Sequence, residues 1–155
     1  MARIRGSVGT TRGFINSVNQ WAKQTEERST AVLRDGCKDF YDELYRNTPV
    51  DTGNLRNSLI ATKYGDAEAQ GPTGPGYYNS GIAQSYMNID SMELGDRISY
   101  VYRATYARRV NNGFVGFDSL GRYYNQAGHR WIEATGSRYR SIMRAAATRH
   151  KMEMK

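Results

Sequence analysis

The sequence predicts an α+β protein, with a long helix in its N-terminal part, strands and turns in the middle, and a helical stretch in its C-terminal part. Three observations predict it. From Thr11 to Asn47 apolar residues recur at spacings of three and four, and from Ile98 to Tyr106 they alternate. Past Gly128 they return to a helical spacing at Trp131, Tyr139, Ile142, Met143 and Ala146. Helices and strands that come in separate runs are the order of an α+β chain.

Residues 1 to 10 are basic and contain glycine but show no period, so they read as an arm that is either disordered or lies on a neighbour. In the long helix Phe14, Val18, Trp21 and Thr25, then Leu33, Cys37, Phe40 and Leu44, form one stripe. Lys23, Glu26, Glu27, Arg34, Asp35, Lys38, Asp39 and Asp42 lie mainly on the other side. Thr10 or Thr11 is placed to cap it. Between Gln24 and Thr30 the chain is polar on all sides, which predicts a helix of two halves, kinked near Ser29 or Gly36.

Pro49 lacks an N–H and pushes Thr48 out of the helical region, so the helix must stop there. Asp51, Thr52, Gly53 and Asn54 supply turn chemistry, with Asp51 expected in an Asx turn and Thr52 satisfying a second backbone group. Leu55 to Lys63 reads as a strand whose first residues can also form a helical turn. Gly65, Gly71, Gly74, Gly76, Pro72 and Pro75 then impose a loop, and residues 77 to 94 read as an irregular or hairpin insertion. The clearest strand runs from Asp96 to Tyr106, with Ile98, Tyr100, Tyr102, Ala104 and Tyr106 on one face. A glycine turn at Gly113 follows, then a hairpin from Phe114 to Tyr124 turning at Asp118-Ser119-Leu120-Gly121. Gly136 and Ser137 weaken the last helical stretch, which runs to about His150. The organisation expected is an arm (1–10), one domain (11–150) with an insertion at about 65–94, and a tail (151–155).

At 155 residues the chain fits one domain. Its 16 glycines and 12 tyrosines point to turns and amphipathic surfaces, so part of its burial is expected from neighbouring subunits. The N-terminal residues lack the apolar core of a signal peptide, and no apolar run approaches the roughly 20 residues of a membrane span. A soluble protein made in the cytoplasm is the expectation. The net charge of +7 is uneven. Residues 122 to 155 hold eight basic residues against Glu133 and Glu153, for +6, and residues 1 to 121 hold 14 against 13, for +1. A one-sided basic segment suits nucleic acid or an acidic protein face, although a solvated helix carries the same residues.

Catalytic material is thin. Cys37, the sole cysteine, lies on the apolar face between Leu33 and Phe40 and reads as a small buried hydrophobe. His129 and His150 fit no zinc spacing, and Gly71-Pro72-Thr73-Gly74-Pro75-Gly76 lacks the Gly-Lys-Ser/Thr of a phosphate loop. No enzyme, metal or cofactor is expected. Tyrosine with interleaved arginine at Tyr100, Tyr102, Arg103, Tyr106, Arg108 and Arg109 can stack single-stranded bases or serve a protein interface, and the interface is the preferred reading.

Thr48-Pro49-Val50-Asp51-Thr52-Gly53-Asn54-Leu55-Arg56-Asn57-Ser58, after a long helix, resembles the signature of the neck, or tail-completion, proteins of long-tailed phages, also labelled minor tail or tail-component proteins. The resemblance extends to Tyr106-Ala107, followed by Val110 and Gly113, with Asn111 and Asn112 where an acidic residue is more usual. It implies that the two end helices pack on a small antiparallel sheet. It also implies a non-enzymatic virion protein that forms a ring around the DNA channel between head and tail, sixfold to match the tail or twelvefold at the portal side.

Its partners would then be copies of itself, head-completion or connector proteins, tail terminator or tail tube proteins, and the genomic DNA in the lumen, with no membrane. Pro49, Asp51, Thr52, Gly53, Leu55 and Ser58 are the expected structural motif, and Tyr77, Tyr78, Tyr86, Tyr106, Arg108 and Arg109 the interface candidates. Arg138, Arg140 and Arg144 are expected to face DNA or an acidic connector surface. The rival reading is a small basic nucleic-acid-binding protein. A hydrolase is disfavoured for want of a nucleophile, base or metal set.

Overall fold

The computed structural model describes residues 11–63 and 78–152, so the loop at 65–76 and Tyr77 lie outside the described residues. The fold is α+β. Helix α1 (Thr11–Asn47) is 37 residues long, which at 1.5 Å per residue is about 55 Å. It is one continuous helix rather than the expected two halves. What changes along it is cover, because every residue from Thr11 to Ser29 is exposed and burial begins at Thr30. In this exposed half the hydroxyls of Ser17, Thr25 and Ser29 donate to the carbonyls of Gly13, Trp21 and Thr25 at 2.8–3.0 Å.

A short helical turn, α2 (Asn54–Asn57), leads into β1 (Leu59–Lys63), which pairs antiparallel with β2 (Ile98–Tyr102) from Leu59↔Tyr102 to Lys63↔Ile98. Leu59, Ala61, Tyr100 and Tyr102 share the face that meets α1, and Cys37, Tyr41 and Leu44 close the main core from the helix side. Phe40 and Tyr100 meet edge to face at 5.0 Å, and the Tyr100 hydroxyl donates to the Cys37 carbonyl at 2.9 Å. The clear strand is shorter than its alternation suggests, ending at Tyr102.

The region read as an irregular or hairpin insertion contains instead a helix, α3 (Ile82–Asp90). Its polar residues obscure its period because they are committed to the edge of β1. Ser85 Oγ accepts the Ala61 N–H at 2.9 Å, and Asn88 Nδ2 donates to the Ala61 carbonyl at 2.7 Å. Those two bonds satisfy the outward backbone groups of Ala61, which an edge strand would otherwise present to other chains. Ile89, fully buried, fixes the helix to the core.

The expected glycine turn after Tyr106 is a helix, α4 (Ala107–Asn112), ended by Gly113 at φ 83°. The predicted hairpin is present as β3 (Gly113–Phe117) and β4 (Tyr123–Ala127), turning over Asp118–Gly121. Helices α5 (Trp131–Ser137) and α6 (Tyr139–Met152) split at Arg138, beside the weak Gly136-Ser137 pair. Helix α6 lies antiparallel along the covered half of α1. Arg138 pairs with Glu43, Arg149 with Asp39 at 2.6 Å, and His150 with Asp35 at 2.7 Å. Part of the basic C-terminal charge therefore has its acidic partner inside the same chain.

Candidate assembly surfaces

The corner between α1 and the first sheet is held from several directions. Thr48 Oγ1 donates to the Leu44 carbonyl at 2.7 Å and lies 2.7 Å from the Tyr102 hydroxyl, to which Trp131 Nε1 donates at 2.9 Å. Arg56 donates to the carbonyls of Arg46 and Thr48, both at 3.2 Å, capping the end of α1 as cations near a helix C-terminus do. Gly53 takes φ 81°, a left-handed conformation that costs a side-chain-bearing residue about 1–2 kcal/mol. Ser58 Oγ bonds the Leu55 carbonyl at 2.7 Å, and Leu55 enters a second apolar cluster with Tyr78, Ala104, Ala107 and Trp131.

Thr52 Oγ1 accepts the Asn54 N–H at 3.4 Å, but the Asp51 carboxylate is exposed and takes no part in the hydrogen bonds of the described residues. Asn54 does the work expected of Asp51: it accepts from the Tyr78 N–H at 2.7 Å and donates to the Tyr106 hydroxyl at 3.1 Å. Asp51 lies instead on the wall of a cleft of about 380 Å³, with Val50 beside it and Tyr106, Val110 and His129 opposite.

The other candidates divide by exposure. Tyr78 is buried, its hydroxyl on the Arg103 carbonyl at 2.9 Å with the Arg103 guanidinium over its ring. Tyr86 gives its hydroxyl to Asp42 at 2.6 Å, and burial, followed by that carboxylate, pushes its ionisation upward. Both are spent within the chain, whereas Tyr106 and Arg108 are exposed. Arg109 is sandwiched, its guanidinium 3.6 Å from the Phe114 ring centre and 5.1 Å from that of Tyr124, under the inner face of the hairpin. Arg138 is committed to Glu43, while Arg140 and Arg144, one turn apart on α6, are exposed with no ion pair among the described residues. Burial pushes the Cys37 thiol upward, away from nucleophile chemistry. No group of His, Cys, Asp and Glu among the described residues is arranged for a metal, and none of their helices is long and apolar enough to cross a membrane.

Two surfaces escaped the candidate residues. Phe14 and Trp21, part of the apolar stripe of α1, are 68% and 66% exposed, with Val18 between them. On the hairpin Val115, Phe117 and Tyr123 share the outward face, and Leu120 at the tip is 74% exposed. The signal for the second was the unbroken apolar run Phe114-Val115-Gly116-Phe117, which has large side chains for both faces of the strand.

A model of a family described as "Bacteriophage HK97-gp10, putative tail-component" matches residues 12–113. The chain belongs to the HK97-gp10-like family. Neither the curated proteins nor the solved structures contain a match. The family span runs from α1 through α4 and includes the corner from Thr48 to Ser58, and nearly all of the hairpin, α5 with its brace Trp131, and α6 follow it. Membership supports a structural, tail-related role and a place in the virion. Buried Asn111 takes a carboxylate partner from α5. Its Nδ2 donates to Glu133 at 2.9 and 3.1 Å, and its Oδ1 accepts the Ile132 N–H at 3.2 Å. The bond from Asn111 is the main cause holding the Glu133 carboxyl below its ordinary range.

The hairpin of this family member should respond to acid through Asp118. Its carboxylate accepts the N–H groups of Leu120 and Arg122 at 2.9 Å, Arg122 Nε at 2.7 Å and the Tyr124 hydroxyl at 3.3 Å. These donors, the Arg122 backbone first, hold its carboxyl below the ordinary 3.8. With the folded value lowered, the stabilisation is complete above the unfolded value and is lost as pH falls through the folded one. Amide resonances of residues 113–127 are expected to move in an acid transition below pH 3.8 that Asp118→Asn removes. Persistence of that transition in the variant would locate the responsible group elsewhere.

Proposed function

We propose that this chain is a structural subunit of the phage neck, whose copies form a ring that joins the head connector to the tail around the DNA channel. The observation that carries the reading is the family match over residues 12–113, which contains the braced corner between α1 and the β1–β2 sheet. A rigid corner gives every copy the same angle between helix and sheet, which closed symmetry requires. Exposed apolar faces on the first half of α1 and on the hairpin supply contact area for neighbouring copies, and Arg140 and Arg144, which have no ion pair among the described residues, suit a phosphate-lined lumen or an acidic connector face. Sixfold symmetry matches the tail. The partners in this reading are the connector or head-completion ring on one side and the tail terminator or tube on the other.

Cryo-electron microscopy of virions carrying a labelled copy tests the placement, and a label found anywhere but the neck rejects it. The double variant Arg140→Glu/Arg144→Glu is expected to shift stability by no more than about 0.5 kcal/mol, as surface changes do. It should lower DNA retention in assembled particles several-fold, and normal retention would make these two arginines solvated surface. A free chain that bound DNA with a steep salt dependence would favour a nucleic-acid-binding protein instead.

A further inference from the structure

The fold leaves Asp51 without structural work: Asn54 holds the turn and Arg56 the helix end, while the Asp51 carboxylate stands exposed and bonds nothing among the described residues. It lines the corner cleft of about 380 Å³, a volume near the lower end of ligand sites. Val50, Leu55, Val110 and the Tyr106 ring make the walls largely apolar, and His129 lies opposite. No Lys or Arg is among the described residues that line it. Such a cleft suits a side chain with an aliphatic stem and a cationic head, because the stem covers the apolar walls while the head meets the carboxylate. An acid on the wall repels phosphate, so the complement is a basic segment of protein and not nucleic acid.

The chain carries such a segment. Residues 1–10 hold Arg3 and Arg5 on either side of Ile4 and contain no acid. They join the fold at Thr11, the start of α1, about 55 Å from the corner at the other end of that helix. Ten residues span at most about 36 Å when fully extended, so this arm cannot reach the cleft of its own copy. The exposed stretch of α1 from Thr11 to Ser29 instead carries the root of the arm about 28 Å outward from the covered half. Arg140 and Arg144 are cations too, but they bring the body of α6 with them, whereas an extended arm enters a narrow cleft alone.

We propose that the basic arm of one copy seats in the corner cleft of the next, with an arginine of Arg3-Ile4-Arg5 on the Asp51 carboxylate and Ile4 along Val50, Leu55 and Val110. The contact joins the far end of α1 to the corner of a neighbour. These are two different surfaces, so it repeats head to tail as the subunits of a ring do, and it rests on the neck reading and deepens it. A single arm contact is weak and screened by salt, and it gains strength when every copy in a closed ring makes it.

Mixed samples of the full chain test the contact: one copy is isotope-labelled so that its amides are observed, and the other carries a spin label through Ala2→Cys, the native Cys37 being buried. The amides of Val50 to Thr52, Val110 and His129 are expected to lose intensity in the wild-type mixture, and the loss should fade as salt is added. Asp51→Lys in the observed copy, or Arg3→Glu/Arg5→Glu in the spin-labelled copy, should each abolish it. Combining the two variants should restore it, a rescue that no change of fold in either copy supplies. Asp51→Asn removes the charge and breaks no bond among the described residues, and it should weaken the contact by up to about fivefold, as for an exposed ion pair. No loss at the cleft in the wild-type mixture, a loss confined to other residues, or a failed rescue overturns the proposal and leaves the ring reading to rest on another interface. Virion placement away from the neck would instead remove the ring reading and leave this contact standing on the rescue.

Discussion

Truncating Trp131 to alanine is expected to cost about 3–5 kcal/mol, in the range of large aromatic truncations in cores. Trp131 is 4% exposed and opens α5, where it packs with Leu55, Tyr78, Ala104 and Ala107. Its ring meets Tyr102 edge to face at 5.6 Å, and its N–H donates to the Tyr102 hydroxyl, which also lies 2.7 Å from Thr48 Oγ1. Removing the indole therefore empties the second cluster and also withdraws one brace from the corner. Trp131→Phe separates the two losses, since it keeps most of the packing and loses one hydrogen bond, itself worth about 0.5–1.5 kcal/mol. Urea unfolding followed by circular dichroism measures the wild type and both variants on one scale, since Trp131 and Trp21 are the two tryptophans of the chain and the variants change its fluorescence. A loss below about 1 kcal/mol for the alanine variant would mean that this cluster does not hold the C-terminal helices, since such a value is that of an ordinary substitution.

Periodicity in the sequence identifies which face of an element is apolar and is silent about what covers it. The stripe has apolar halves on both sides of the polar Gln24–Thr30 stretch, yet only its second half meets α6 and the sheet. The long helix, the β2 alternation and the hairpin turn were legible because each rests on a local rule, as were the buried Cys37 and the weak point at Gly136-Ser137. Helix α3 was not legible, because Ser85 and Asn88, which blur its apolar period, are there to bond the edge of β1 24 and 27 residues away. Asp51 shows the same limit within the signature. Turn chemistry selected it from four suitable residues, and the fold assigned the bonds to Asn54 and the capping to Arg56. The charge asymmetry was also legible as a sum, but its division was not. Arg138 and Arg149 answer acids on α1, while Arg140, Arg144 and Lys151 are exposed on α6 with no ion pair among the described residues.

The hairpin's attachment to the body depends on a close backbone crossing, and Gly128→Ala is expected to break it at a cost of about 1–3 kcal/mol or more, as overpacking does. A Cβ at Gly128 would fall well inside van der Waals contact with the Asn111 carbonyl oxygen, the Asn112 carbonyl carbon and the Gly113 nitrogen. All three are backbone atoms, so no rotamer change relieves them. The chain must separate there, and the bonds just beyond would stretch with it: His129 N–H to the Val110 carbonyl and Arg130 N–H to the Asn111 carbonyl, both at 3.0 Å. Because Asn111 also holds Glu133 and the start of α5, the strain should spread to that helix while β1–β2 is spared. Hydrogen exchange is expected to show lost protection in residues 113–137 and unchanged protection in residues 59–63. The control is Gly136→Ala. Nothing lies within 4 Å of a Cβ there, and the helical position gains up to about 1 kcal/mol from the change. Opposite signs at two glycines eight residues apart would show that the crossing, and not glycine content, positions the hairpin face. Equal behaviour at both would mean that the hairpin is positioned by something other than the α4–β4 approach.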